Sequence, residues 1–510
     1  HGYRGAETRI VALGDGTLER SDCVFCGQCI QACPVAALVE KKSRYRIRPW
    51  EARHVRTTCH YCSVGCQLDL HIKNDVIMKV TAVEDAEPNQ GRLCVKGRFG
   101  YDFVESPERL TRPMIRENGE LREASWDEAL DQVAGKIQEV LQEHGPVAVA
   151  GICSAKSTNE SLYLMQKLFR TAMGTNNLAS PLAAGGLNHP FLEWEKARRI
   201  FLIGSDITEE NPVAGTFVKR AVKSGAELIV VDSRQTKISG FSTQYLQTIE
   251  GSESVLINGI IRELINRGRE AAQDTRETAE SFSLDRVTET TGLSQDDIKA
   301  AVDVLDTDQP VMLIYGSRVA AFARTFVRLQ EVLGNMNIEC GGVNYLGDLN
   351  NSQGACDMGM LPSFLPGYAN VEDDEKRKPF EDAWGRKLNG KPGLRFNEII
   401  QNMAGTGGGA KIRFLYCAGE NLAMAAQGAV PEITNALNSL DFLVVQDILD
   451  NETVRYADVV LPAAAWSEED GTYTNCERRV SRVRKAVPPA GEARSEIWIF
   501  TELARRLGQD

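Results

Sequence analysis

The stretch CHYCSVGCQLDL, residues 59–70, settles how the rest of the chain is read. Cys59, Cys62 and Cys66, joined later by Cys94, form the spacing C-x2-C-x3-C-x27-C. Three soft thiol ligands on one loop, with a fourth returning after the strand pair CQLDLHIKNDVIMKVTAVED at 66–85, suit an iron–sulfur cubane. Toward the N-terminus, CVFCGQCIQACP at 23–34 places Cys23, Cys26, Cys29 and Cys33 before Pro34, the C-x2-C-x2-C-x3-C-P run of bacterial ferredoxins. In two-cluster ferredoxins the fourth cysteine of that run serves the other cluster. Cys33 therefore either closes a site on its own loop or joins a further cluster with upstream residues. The second alternative is favoured, because HGYRGAETRIVALGDGTLERSD at 1–22 reads as a linker between two halves of such a domain, and a start at His1 implies lost upstream residues. Zinc also takes four cysteines, although its sites usually pair two C-x2-C knuckles across a longer gap. Two different iron–sulfur spacings in succession predict two [4Fe–4S] clusters arranged as a wire.

The connection between the two sets, KKSRYRIRPWEARHVR at 41–56, carries Lys41, Lys42, Arg44, Arg46, Arg48, Arg53 and Arg56. It is either a solvated basic strand or a source of positive charge for anionic clusters. The chain as a whole has a formal net charge of −12, which argues against a nucleic-acid partner. At 510 residues it exceeds a single core, which stops growing near roughly 250–300 residues, so about three or four domains are expected. No run approaches the roughly 18–20 consecutive apolar residues of a membrane span and no signal-peptide pattern opens the chain, so a soluble, cytoplasmic protein is expected. Grouped cysteines in such a chain read as metal ligands before disulfides. Cys153, Cys340, Cys356, Cys417 and Cys476 are isolated and read as small buried hydrophobes.

Farther on, RIFLIGSD, ELIVVDSR, VMLIYGS, IRFLYCAGEN and DFLVVQD are short apolar runs that end in turn residues, as strands buried on both faces of a parallel sheet do. Between them lie helical patterns such as SWDEALDQVAGKIQEVL, with Ser125 and Glu128 in capping-box spacing and Leu130, Val133, Ile137 and Val140 on one stripe. The fold class is α/β: N-terminal ferredoxin-like and small β-rich [4Fe–4S] domains, then doubly wound parallel-sheet domains whose ligands sit at the carboxyl ends of strands. The expected division is 1–48 (a partial ferredoxin-like domain), 49–112 (the second cluster domain), 113–150 with 311–510 (an α/β domain), and 151–310 (an inserted Rossmann-like domain).

CHYCSVGCQLDL followed by GRLCVKGRFGYDFVESPERLTRPMIR resembles the opening domain of the molybdopterin oxidoreductases. The nearest resemblance is to the large subunits of NAD-linked formate dehydrogenases, and a more distant one is to the large iron–sulfur subunit of respiratory complex I. It continues through LIGSDITEENPVAG, VVDSRQTKIS, GDLNNSQGACDMGMLPSFLPGY, CAGENLA, VVQDILDNETVRYADVVLPAAAW and EEDGTYTNCERRVSRVRKAVPPAGEA. The fold it implies is that of formate dehydrogenase and DMSO reductase, domains 1–3. It also implies that Lys96 stands between cluster and pterin. Gly204, Asp206, Asn211, Asp232 and Arg234 would bind the guanosine and phosphate parts of one molybdopterin guanine dinucleotide. Asn350, Asn351, Gln353 and Gly354, with Gly419, Glu420, Asn421, Gln446 and Asp447, would serve a second. Turn amides can cradle phosphate and a carboxylate can accept from a guanine edge, yet the same residues are also ordinary turn chemistry at strand ends.

Two departures from the resemblance shape the expected function. In the formate-oxidising relatives the loop corresponding to GTNNLASPLAAGGLNHP, 174–190, is longer and presents a cysteine or selenocysteine to molybdenum or tungsten, followed by a histidine. Here no cysteine falls between Cys153 and Cys340, and Ser180 and His189 are the only stand-ins. The chain also stops at WIFTELARRLGQD, where the family continues into a cap domain. The expectation is an iron–sulfur electron-transfer subunit, with no catalytic residue assigned, in a multi-subunit NADH- or ferredoxin-linked oxidoreductase. Its partners would be other redox subunits, among them a flavin- and NADH-binding iron–sulfur subunit, or ferredoxin. The alternative is a catalytic molybdopterin-dependent formate dehydrogenase subunit with an atypical metal site. ERRVSRVRK at 477–485 reads as an exposed basic strand edge, and AGTGGGAK at 404–411 as a turn, because it precedes a strand where a dinucleotide loop follows one.

Overall fold

The computed structural model describes residues 4–7, 17–21, 23–181, 186, 188–336, 338–425 and 433–509. The stretch after Cys66 forms the anticipated strand pair. Strands Arg53–Thr58, Gln67–Lys73 and Val76–Ala82 make an antiparallel sheet, in which Leu68, Leu70 and Ile72 point inward. Its tight turn uses Asn74 and Asp75, both at positive φ (52° and 59°), the combination that matches the twist of flanking strands.

Two larger sheets follow. One has the order Gln244–Gln247, Glu227–Asp232, Arg199–Ile203, Val311–Gly316, Val343–Leu346, with every pair parallel. The other runs Glu120–Glu123, Met114–Glu117, Val459–Pro462, Phe442–Asp447, Phe414–Ala418, Val149–Cys153, Leu178–Ala179. In it five strands are parallel and an antiparallel hairpin covers one edge. All five apolar runs singled out in the sequence are strands of these two sheets. The helix Trp126–His144 begins as its pattern requires: the Ser125 side chain accepts the Glu128 N–H at 3.2 Å, and Leu130, Val133, Ile137 and Val140 are buried.

The inserted sheet does not follow the expected cut at 151–310. Its strands lie between Arg199 and Leu346, while Val149–Cys153 and Leu178–Ala179 pair with the larger sheet. The reason is pairing: the strand at 311–316 lies between Arg199–Ile203 and Val343–Leu346, a choice that apolar periodicity alone does not reveal. One continuous apolar core joins the small sheet to a face of the inserted sheet, and Cys59, Cys62, Cys66 and Cys94 lie within it beside Leu202, Phe217 and Val230. No helix among the described residues is long and apolar enough to cross a membrane.

Candidate functional site

The second cysteine set is built by the end of one strand and the start of one helix. Cys59 follows Arg53–Thr58, and its N–H donates to the Cys66 carbonyl at 2.8 Å, closing the loop. Gly65 stands at φ +66°, and a Cβ there would lie 2.8 Å from Cβ of Asn475, so glycine is required at this approach. Cys94 precedes the short helix Val95–Phe99, in which Gly97 packs so closely that an added Cβ would sit 3.3 Å from Cys59 Sγ. All four thiols are buried and none is in a disulfide. Burial, reinforced by the neighbouring thiols, pushes Cys59 and Cys66 up, and it raises Cys62 likewise. Four thiols brought together in an apolar core fit a metal cluster that takes up their thiolate charge. Lys96 projects from the same helix and donates from Nζ to the Glu210 carbonyl at 3.2 Å, which ties the cluster loop to the segment after Arg199–Ile203.

The first set is more open. Cys29 is exposed while Cys23, Cys26 and Cys33 are half-buried around the helix Gln28–Ala32. The Ala37 N–H donates to Cys33 Sγ at 3.2 Å, and the amides of Leu38, Val35, Ala37 and Ala36 hold that thiol below its ordinary range. Gln28 Nε2 donates to the Gly91 carbonyl (3.0 Å) and Gln31 Nε2 to the Ala82 carbonyl (3.2 Å), so the loop is docked on the small sheet. Most of the supposed linker at 1–22 lies outside the described residues.

A cleft of about 490 Å³ opens at the carboxyl ends of Val149–Cys153, Phe414–Ala418 and Phe442–Asp447. The chain leaves the first of these strands toward one edge of the sheet and the second toward the other, which makes this the topological switch point where α/β sheets bind ligands. Gly419, Glu420, Asn421, Gln446 and Asp447 line it together, with Ser154, Lys156, Trp466, Glu469 and Glu496, which the sequence reading had not singled out. Glu420 Oε1, Glu469 Oε2, Glu496 Oε2 and Trp466 Nε1 are buried there without a hydrogen-bond partner. Such atoms are costly to leave unpaired and fit a polar, hydrogen-bonding ligand. Burial raises Glu420 to about 7, Asp447 adds to the rise, and Ser154 and Lys156 oppose it. Asp447, Glu469 and Glu496 are also raised, chiefly by burial. One wall is His60, stacked on Trp466 with ring centroids 4.6 Å apart, so the cleft begins one residue beyond Cys59.

The remaining expected contacts divide. Asn351 holds two loops together, donating to the Ser157 carbonyl (2.8 Å) and accepting from the Thr474 N–H (2.7 Å). Gly354 packs against Asn159 and Asn351, where a Cβ would come within 2.1 Å of both side-chain oxygens. Gln353 donates to Asp357 and Tyr368 and keeps its Oε1 buried and unpaired, and neither amide atom of Asn350 has a partner at hydrogen-bond geometry. Gly204 adopts φ +60°, but Val319 fills the space beside it. Asp232 is held by Arg318 at 2.6 Å and 3.2 Å, Arg234 is exposed, and Asp206 accepts from the Thr208 hydroxyl at 2.7 Å. Asn211 donates to the Gly347 carbonyl at 3.1 Å, with its Oδ1 buried and unpaired. Ser180 follows Leu178–Ala179 with an unpaired buried Oγ but does not line the cleft, and His189 Nδ1 is 2.8 Å from Glu193 Oε2. Residues 182–185 and 187 of that loop lie outside the described residues. The two basic runs meet: Arg484 Nη1 donates to the Arg56 carbonyl (3.0 Å) and Thr58 Oγ1 to the Arg482 carbonyl (2.9 Å).

Residues 109–506 match the molybdopterin oxidoreductase family, 52–106 its Fe4S4 domain, and 17–39 a 4Fe-4S binding domain. The chain belongs to the molybdopterin oxidoreductase family. It is 36% identical over 494 residues to the putative formate dehydrogenase YrhE of Bacillus subtilis, covering 91% of this chain and 50% of that protein. It is 36% identical over 489 residues to the F420-dependent formate dehydrogenase subunit alpha of Methanocaldococcus jannaschii, covering 90% and 71%. With the NADPH-Fe(3+) oxidoreductase subunit alpha of Geobacter sulfurreducens the identity is 30% over 537 residues, covering 98% and 62%. The chain thus spans about half the length of the Bacillus relative. Among solved structures, acetylene hydratase from Pelobacter acetylenicus shares the fold, with a TM-score of 0.67 at 20% identity over 89% of this chain and 69% of that one. The family assignment agrees with the resemblance carried by CHYCSVGCQLDL and its continuation.

Proposed function

We propose that this member of the family is the electron-relay part of a multi-subunit, formate-dehydrogenase-like oxidoreductase. Cys59, Cys62, Cys66 and Cys94 hold one [4Fe–4S] cluster. Cys23, Cys26 and Cys29 hold another, with Cys33 completing it or reaching an upstream one. When bound, these clusters supply one-electron storage. The chain's own part is to seat them, exclude water from the second, and set its distance from the cleft. The observation that carries the reading is adjacency: the Cys59 loop continues directly into the His60–Trp466 wall of the cleft.

The cleft is read as the site of a molybdopterin guanine dinucleotide. Glu420, Asn421, Gln446 and Asp447 would accept from or donate to its polar edge, and the unpaired Glu420, Glu469 and Trp466 atoms support that fit. The redox partner is a further subunit, of the flavin-bearing or ferredoxin kind. The test is anaerobic purification followed by metal analysis and reduction. A relay contains iron and sulfide, is reduced by dithionite or by its partner subunit, and is not reduced by formate. Molybdenum or tungsten together with formate-driven cluster reduction would establish the catalytic alternative instead.

A further inference from the structure

Arg98 is 2% exposed, and no carboxylate lies within ion-pair distance of it among the described residues. Burying a guanidinium without a counter-charge is expensive, so a compensating negative charge belongs nearby. Its side chain reaches the loop and helix of the first cysteine set, and its own helix begins at Cys94 of the second. Glu40 is already engaged by the Ser43 hydroxyl at 3.1 Å and the Tyr101 hydroxyl at 3.3 Å. That leaves the two cysteine sets.

The hydrogen bonds point the same way. The Arg98 backbone N–H donates to the Cys94 carbonyl at 3.1 Å, and its Nε donates to the Cys26 carbonyl at 2.7 Å. Nη1 donates to Gln31 Oε1 (2.9 Å) and Nη2 to Gln28 Oε1 (3.1 Å), both on the helix of the first set. Gly27, at φ +68°, admits this approach, since a Cβ there would lie 2.5 Å from Arg98 Cδ. The Arg98 side chain is therefore bonded to the loop and helix of the first set, while its backbone belongs to the helix that Cys94 of the second set opens.

We propose that Arg98 is a positioning residue and the shared cation of the two cysteine sets, clamping the first loop on the second and stabilising the reduced, more negative state of both. The inference rests on the two-cluster reading above. In the step it serves, one electron leaves the reduced set and enters the oxidised one, with no bond made or broken and Arg98 protonated throughout.

The experiment compares Arg98→Met and Arg98→Lys with the parent in anaerobically purified, iron-loaded protein, by iron content and by paramagnetic resonance titration of each midpoint. For Met, the reduction equilibrium of both sets is expected to fall at least tenfold, which is 59 mV for one electron. Lys is expected to stay within twofold of the parent. Iron lost from the first set in the Met variant and kept in the Lys variant supports the inference too. It is overturned if the Met variant keeps full iron and both midpoints within twofold, or if Lys and Met change alike. A parent protein without iron defeats the cluster reading itself, which the iron analysis reveals before any variant is compared.

Discussion

Glu420→Gln tests whether the cleft is held in a state that expects a ligand. The Glu420 carboxyl, ordinarily titrating at 4.5, titrates at about 7 here because it is buried at the strand end with Asp447 beside it. A group that holds its proton more tightly when folded makes the folded state lose stability as pH rises from the unfolded value to the folded one. The window is therefore pH 4.5 to about 7, with the whole loss present above it. At roughly 1.4 kcal/mol per tenfold change in proton affinity, the ionised side chain costs about 3 kcal/mol. Glutamine removes the ionisation and keeps the shape. Unfolding midpoints of iron-loaded protein, measured under argon from pH 4 to 8.5, should show parent and variant converging at the acid end and the variant ahead by a few kcal/mol at pH 8. Asp447, Glu469 and Glu496 are raised in the same direction, so the difference between the two proteins is the informative quantity. Parallel curves across the window would refute the reasoning.

Other substitutions probe separate parts of the structure. Lys156→Met removes the cation that holds Glu420 and Asp447 down, so the infrared band of the protonated Glu420 carboxyl should persist to higher pH than in the parent. Arg109→Met breaks a fork to Glu468, 2.7 Å and 2.9 Å with both side chains 2% exposed, leaving a buried unpaired carboxylate. The expected cost is about 3–5 kcal/mol, read as a fall in unfolding midpoint. Gly97→Val would press a branched side chain on Cys59 Sγ, so iron should drop from about eight to about four per chain while the first set's signal remains.

The parts of the fold visible in the sequence were those written in local chemistry. Cysteine spacing, the strand pair after Cys66 and the Ser125 cap all depend on neighbours a few residues away, and each stands where its pattern places it. Sheet membership does not, which is why the strand at 149–153 straddles the expected domain cut and the strand at 311–316 lies on the other side of it. At the candidate site, the strand-end residues Gly419 to Asn421 and Gln446 to Asp447 converge on the cleft. Asp232 has the same turn position but is occupied by Arg318, a partner 86 residues away that no local pattern announces. Arg98 carries a local signal: it stands one helical turn beyond Cys94, where it shares a face with that ligand.

The central claim is that eight early cysteines hold two [4Fe–4S] clusters close enough to exchange electrons. The most direct measurement is the low-temperature paramagnetic resonance spectrum of the dithionite-reduced protein, taken with iron and sulfide analysis of the same sample. The account predicts about eight iron and eight sulfide per chain and two reduced-cluster signals broadened by their mutual interaction. A colourless protein carrying zinc, or a single isolated signal with about four iron, would contradict it.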